Sequence, residues 1–196
     1  YNPYDSPIYP HHFPIKSIYK EEFQNKDIDI CFLGAPTNPR RELFISKLNE
    51  LKERPSMKKF NWFIKYDSNR DHEEFTNIVN RSKVALNYPG NSYDAWRIWE
   101  AASAKCCIIQ PLLPLISTSS KHMPFDEYVK YDMDCSDLEE KILSVFENDS
   151  YKEWGQKAFD AYHEKHNPKK CFEKYHEIVL SQCNSLEFKE PNPIEP

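Results

Sequence analysis

Short apolar runs alternate with segments of helical period along most of this chain, and that alternation restricts the fold more than any other feature. Residues 29–33 (Asp-Ile-Cys-Phe-Leu), 60–64 (Phe-Asn-Trp-Phe-Ile), 83–87 (Lys-Val-Ala-Leu-Asn) and 106–110 (Cys-Cys-Ile-Ile-Gln) read as buried strands, with 128–131 as a short fifth. Between the first two, Leu43, Phe44, Leu48 and Leu51 recur at helical spacing, with Pro39 suited to the first turn and Pro55 ending the pattern. Asp71 is placed to cap a helix carrying Phe75, Ile78 and Val79. A further helix is expected over 93–105. Two or three helices follow, over 136–148, 150–165 and 168–182, the first with Leu138, Ile142, Leu143 and Phe146. Strands that alternate with helices predict an α/β fold, a Rossmann-like parallel sheet with helices on both faces and extra C-terminal helices at its side.

The flanks differ from this body. Residues 1–27, with Pro3, Pro7, Pro10 and Pro14, read as an extended N-terminal arm, and 184–196, with Pro191, Pro193 and Pro196, as a C-terminal tail. The domain proper is then 28–183, long enough to bury its own core. Aromatic residues at 14 % supply buried area that a composition only 39 % hydrophobic otherwise lacks. The net charge of −5 is spread with mixed sign and shows no basic stripe, so no nucleic acid is expected as the main partner. A bound anion must be held by a local site instead of a global field. No 18-residue apolar stretch occurs, so no membrane span is expected. The six cysteines form no C-x-x-C pair, and Cys106 and Cys107 lie in an apolar run where buried free thiols are common. A reducing, cytoplasmic location follows as the expectation. His11, His12 and His166 have no ligand-spaced partners, so no metal is expected. The chain opens on Tyr1, not Met, so a missing targeting segment carries no weight.

In open α/β sheets ligands bind beyond the carboxyl ends of the strands, which here points to the loops 34–41, 66–71, 87–94 and 110–124. The third is the most informative. Pro89, Gly90, Asn91, Ser92 and Asp94 join a strand to a helix start, where free backbone N–H groups attract phosphate and Gly90 permits close approach. The same residues also describe an ordinary βα turn with a serine cap. In the helix that follows, Arg97 and Glu100 are three apart and share a face. They form either a surface ion pair or a ligand pair, with the carboxylate accepting from ribose hydroxyls and the arginine meeting a diphosphate. In the first loop Arg40 and Arg41 follow Gly34. They sit against the dipole of a helix start, as a solvated turn or as a clamp for pyrophosphate. In the second loop Tyr66, Asn69 and Arg70 either frame a base, with Tyr66 stacking on it, or simply end a strand.

The run 80–90 (Asn-Arg-Ser-Lys-Val-Ala-Leu-Asn-Tyr-Pro-Gly), leading into 96–101 (Trp-Arg-Ile-Trp-Glu-Ala), resembles the donor-binding core of GT-B glycosyltransferases. It is similar both to the CgeB-like, glycosyltransferase family 1 type domain and to the exostosin-type domain, whose closing Pro-Phe is echoed by Met123, Pro124 and Phe125. Phe32 to Ala35 with Arg40, the helix from Ser136 to Val145, and the stretch from Ala158 to His166 extend the likeness over roughly 28–180. Each motif alone is loose; their common order and spacing make the likeness fairly specific. The resemblance implies that the chain is one half of a GT-B fold. It implies transfer of a sugar from a nucleotide-diphosphate sugar to a glycan or other hydroxyl acceptor. No cofactor is then needed, the nucleotide sugar being substrate, and a second Rossmann-like domain, absent from this chain, supplies the acceptor site and catalytic base. It gives Glu100 to the ribose, Arg97 to the turn before it, and the loop from Pro89 to Asp94 to the diphosphate and donor sugar. Ser92 stands where many relatives carry an acidic residue, and Lys105 or Cys106 near a usual glycine. The alternative reading is therefore a non-catalytic nucleotide-sugar or glycan-binding or structural module that keeps the half-fold.

Overall fold

The computed structural model describes residues 17–23, 25–66, 71–90, 96–112, 128–165 and 167–185. Five strands form its centre: β1 (Ile28–Leu33), β2 (Trp62–Lys65), β3 (Ser82–Leu86), β4 (Cys107–Pro111) and β5 (Val129–Tyr131). They lie in the order β2-β1-β3-β4-β5, every neighbouring pair parallel. Around them run α1 (Pro39–Lys52), α2 (His72–Arg81), α3 (Trp96–Ser103), α4 (Leu138–Phe146), α5 (Tyr151–Lys165) and α6 (Pro168–Ser185). The chain thus has the Rossmann-like α/β architecture that the alternation predicts.

The strands are apolar on both faces because both faces are covered. Ile30, Phe32, Val84, Leu86, Cys107 and Ile109 face one core, closed by Phe44, Leu48 and Leu51 of α1 and by Leu138, Ile142 and Val145 of α4. Cys31, Leu33, Ala85 and Ile108 face the other, closed by α2, by Ile98, Trp99 and Ala102 of α3, and by Ala158, Ala161 and Tyr162 of α5. Residues 17–20 run along this second layer. Asn80 of α2 accepts from Lys20 N (2.8 Å) and donates to Ile18 O (2.7 Å), and Ser103 Oγ accepts from Ile18 N (3.1 Å). Residues 1–16 of the expected arm, and 186–196 of the expected tail, lie outside the described residues.

Local signals set the helix starts. Asn38 caps α1, its Oδ1 accepting from Arg41 N at 3.0 Å, ahead of Pro39. Asp71 caps α2 by accepting from the N–H groups of Glu73 and Glu74. Two details differ from expectation. The second strand begins at Trp62, because Phe60 closes a turn on Met57 O (3.1 Å) and rests its ring on Phe146. Leu43 is 59 % exposed, while Arg41 is buried with Phe44, Leu48 and Leu51. Among the described residues no helix is long and apolar enough to cross a membrane.

The strand order matters for function. From β1 the chain steps to β2 on one side, then returns across β1 to β3 on the other. The carboxyl ends of β1 and β3 therefore flank the point where the topology reverses, where open α/β sheets leave a crevice.

Candidate functional site

Two loops meet at that crevice. Gly34 follows β1, held by its N–H to Lys65 O (3.0 Å), and Asn87 to Gly90 follow β3. Two arginines from opposite layers converge on Gly34. From α3, Arg97 Nη1 donates to Leu33 O. From the first turn of α1, Arg41 inserts its guanidinium between the loops. A Cβ on Gly34 would collide with Arg97 Nη1 and stand 3.4 Å from Arg41 Cζ. Any side chain at position 34 would therefore displace the Arg97 guanidinium from its place over Leu33 O.

Arg41 is only 1 % exposed. Its Nη2 donates to Tyr88 O at 2.5 Å and its Nη1 to Ala35 O at 3.4 Å. Gly90 lies against the same guanidinium, since a Cβ there would stand 2.9 Å from Arg41 Nη1. Asn38 Nδ2 donates to Gly90 O at 2.9 Å. The first turn of α1 therefore ties the loop after β1 to the loop after β3 and carries a full positive charge into the join. Phe32 lies 5.9 Å below the guanidinium, which adds a modest cation–π attraction.

Glu100 follows Arg97 by one turn of α3 and is 7 % exposed. Its burial excludes a solvated surface ion pair. The fold thus gathers Gly34, Arg41, Pro89, Gly90 and Arg97 at the crevice, with Glu100 one turn further along α3. Arg40 is not among them: one residue, or about 100° of helix, separates it from Arg41, and it is exposed. Tyr66 is also elsewhere. Its hydroxyl donates to Asn49 Oδ1 at 2.6 Å, about three turns into α1, and burial pushes its pKa up. Asn91, Ser92 and Asp94, with Asn69, Arg70, Met123, Pro124 and Phe125, lie outside the described residues, as do His11, His12 and His166.

Asn38, Asn87, Gln110 and Tyr131 also belong to this region, though no motif singles them out in the sequence. Asn87 and Gln110 are buried at the carboxyl ends of β3 and β4, and Asn87 Nδ2 donates to Gln110 Oε1 at 3.0 Å. Tyr131 Oη donates to Asn87 O at 2.9 Å. Their signal was present: each amide closes an apolar run with a polar group. Among the described residues no group of three or more His, Cys, Asp or Glu side chains is arranged to hold a metal.

No family model matches the sequence, and no curated protein matches it. Solved structures do match. The chain superposes on TarM with a TM-score of 0.54 at 16 % identity, over 85 % of this chain and 37 % of that one. It superposes on the pneumococcal O-GlcNAc transferase GtfA, solved with UDP and GlcNAc, with a TM-score of 0.58 at 12 % identity, over 86 % and 38 %. Both are GT-B glycosyltransferases, and the sheet and helices of this chain match one half of that fold. The chain spans well under half the length of either neighbour.

Proposed function

We propose that this chain is the donor-binding half of a GT-B glycosyltransferase, which transfers a sugar from a nucleotide-diphosphate sugar to a glycan or other hydroxyl acceptor. The observation that carries the reading is the convergence of Arg41 and Arg97 on Gly34 at the reversal of strand order. Two guanidinium groups beside the same glycine give the local positive field and the forked donors that a diphosphate takes. The diphosphate lies across Gly34 and the Pro89–Gly90 segment; for Asn91, Ser92 and Asp94 the role toward the donor sugar is the one that the resemblance implies. Glu100 accepts from the ribose hydroxyls. The arginines supply the positive charge that a diphosphate leaving group needs, so the reaction uses no cofactor or metal. The acceptor site and catalytic base belong to a second Rossmann-like domain. Cys31, Cys106, Cys107 and Cys135 are free thiols, in keeping with a cytoplasmic setting.

Calorimetry with UDP-, GDP-, ADP- and TDP-sugars tests the reading. One of them should bind and raise the unfolding midpoint. Glu100→Gln should weaken that ligand by about 1–3 kcal/mol. Arg97→Ala should weaken the nucleoside diphosphate far more than the nucleoside, and exposed Arg40→Ala should do so less. Binding of none of the four, or equal losses for nucleoside and diphosphate, would overturn the assignment. The non-catalytic alternative, favoured by Ser92 at an acidic position, predicts binding without donor hydrolysis or transfer in a longer chain that includes the second domain.

A further inference from the structure

The buried amides Asn87 and Gln110 take no part in holding the diphosphate. Asn87 is 4 % exposed and Gln110 has no exposed surface. Strand alternation puts both on the face of Ala85 and Ile108, the face that α3 covers. Two facing carboxamides can make two hydrogen bonds with each other. These make one, from Asn87 Nδ2 to Gln110 Oε1. Gln110 Nε2 is buried with no partner, and Asn87 Oδ1 accepts from no described residue. Exchanging nitrogen and oxygen in both amides leaves the same remainder, one donor and one acceptor unspent.

Structure alone does not account for the pair. The backbone of Asn87 is already fixed, its N–H by Ile109 O (2.9 Å) and its carbonyl by the Tyr131 hydroxyl (2.9 Å). Apolar residues of similar volume at both positions would pack there without a stranded amide, whose burial is destabilising. A buried polar group without a partner is the kind of local violation that function tolerates.

We propose that the Asn87–Gln110 pair reads a hydroxyl group of the ligand bound above it. A hydroxyl both donates and accepts, so it satisfies the two unspent positions together; a phosphate oxygen only accepts and an ammonium only donates. The inference rests on the donor-crevice reading and divides its labour: arginines hold the charge, and the amides select for a polyol. The hydroxyl belongs to the ribose or to the transferred sugar, and the choice of ligands separates the two sources.

The test uses the full chain with UDP, 2′,3′-dideoxy-UDP and UDP-N-acetylglucosamine in calorimetry. The double variant Asn87→Leu, Gln110→Leu removes both partners and the stranded donor, so its unfolding midpoint should match or exceed the parent's. Gln110→Met serves as a second, smaller change. With a ribose hydroxyl, both variants lose about tenfold in affinity for UDP and for UDP-N-acetylglucosamine, and nothing for 2′,3′-dideoxy-UDP. With a sugar hydroxyl, the loss is confined to UDP-N-acetylglucosamine. Equal losses on all three ligands, or none on any, overturn the proposal while leaving the donor crevice in place. A parent protein that binds neither these three nor the GDP-, ADP- and TDP-sugars removes the crevice reading and this inference with it.

Discussion

Arg41 keeps a full charge with 1 % of its surface exposed, and main-chain carbonyls hold it there. Its planar fork reaches Tyr88 O and Ala35 O from one guanidinium, which an ammonium on a single stem does not reproduce. Arg41→Lys should therefore lower stability by about 1–3 kcal/mol in urea unfolding, and amide exchange should quicken in both loops. Arg40→Lys should change neither. An Arg41→Lys protein as stable as its parent would refute the clamp. The two arginines were visible in the sequence, but their separate fates depend on helix phase. Leu43 and Phe44 are both apolar, so the pattern allowed two phases. The stripe 41, 44, 48 and 51, spaced three, four and three, is the buried one, and it includes the arginine. The amides at 87 and 110 went unread for another reason: a polar residue at the end of an apolar run looks like a boundary until the partner strand is known.

At the scale of elements, the turn between α3 and β4 fixes how α5 sits on the sheet. Lys105 takes φ 56°, a left-handed conformation more usual for glycine. The N–H groups of Lys105 and Cys106 close the helix end on Ala102 O and Ala101 O, each at 3.0 Å. The ammonium of Lys105 stands 4.5 Å from the Phe159 ring centroid, and that cation–π contact offsets part of the backbone strain. Gly155 of α5 packs directly on this turn. A Cβ there would stand 2.5 Å from Lys105 O and 3.3 Å from Cys107 N, both backbone atoms that cannot step aside. Gly155→Ala should thus destabilise by about 1–3 kcal/mol through overpacking, despite the better helix propensity of alanine. A more stable alanine variant would show that α5 is free to move outward. Buried elements were the legible ones: β1, β3 and β4 fall within one residue of the apolar runs, because both faces of each strand are covered. The edge strand β2 was displaced, since one-sided pairing leaves its ends to the packing of Phe60 on Phe146.

For the molecule as a whole, thiols in both cores couple folding to alkaline pH. Cys31 lies between the sheet and the α2–α3 layer, and Cys107 between the sheet and α1. Burial first, then the neighbouring Cys106, pushes the Cys31 pKa up to about 12 from an ordinary 9.0. Burial raises Cys106 and Cys107 too, and holds the Tyr131 phenol well above its ordinary value. In each case the folded chain retains a proton that the unfolded chain gives up. The unfolded state therefore binds fewer protons above pH 9, and stability must fall as pH rises. The stabilisation is complete below about pH 9 and declines from there toward pH 12 for Cys31. By pH 10 each fully buried thiol should account for a loss of about 1 kcal/mol. The urea midpoint should stay level from pH 7 to 8.5 and then decline, and Cys31→Val should flatten part of that decline. Cys107→Val should flatten another part, because the two thiols report on opposite layers of one cooperative sheet. A midpoint that holds level to pH 10.5, or a decline that neither variant alters, would show that the layers open to solvent without unfolding the strands between them.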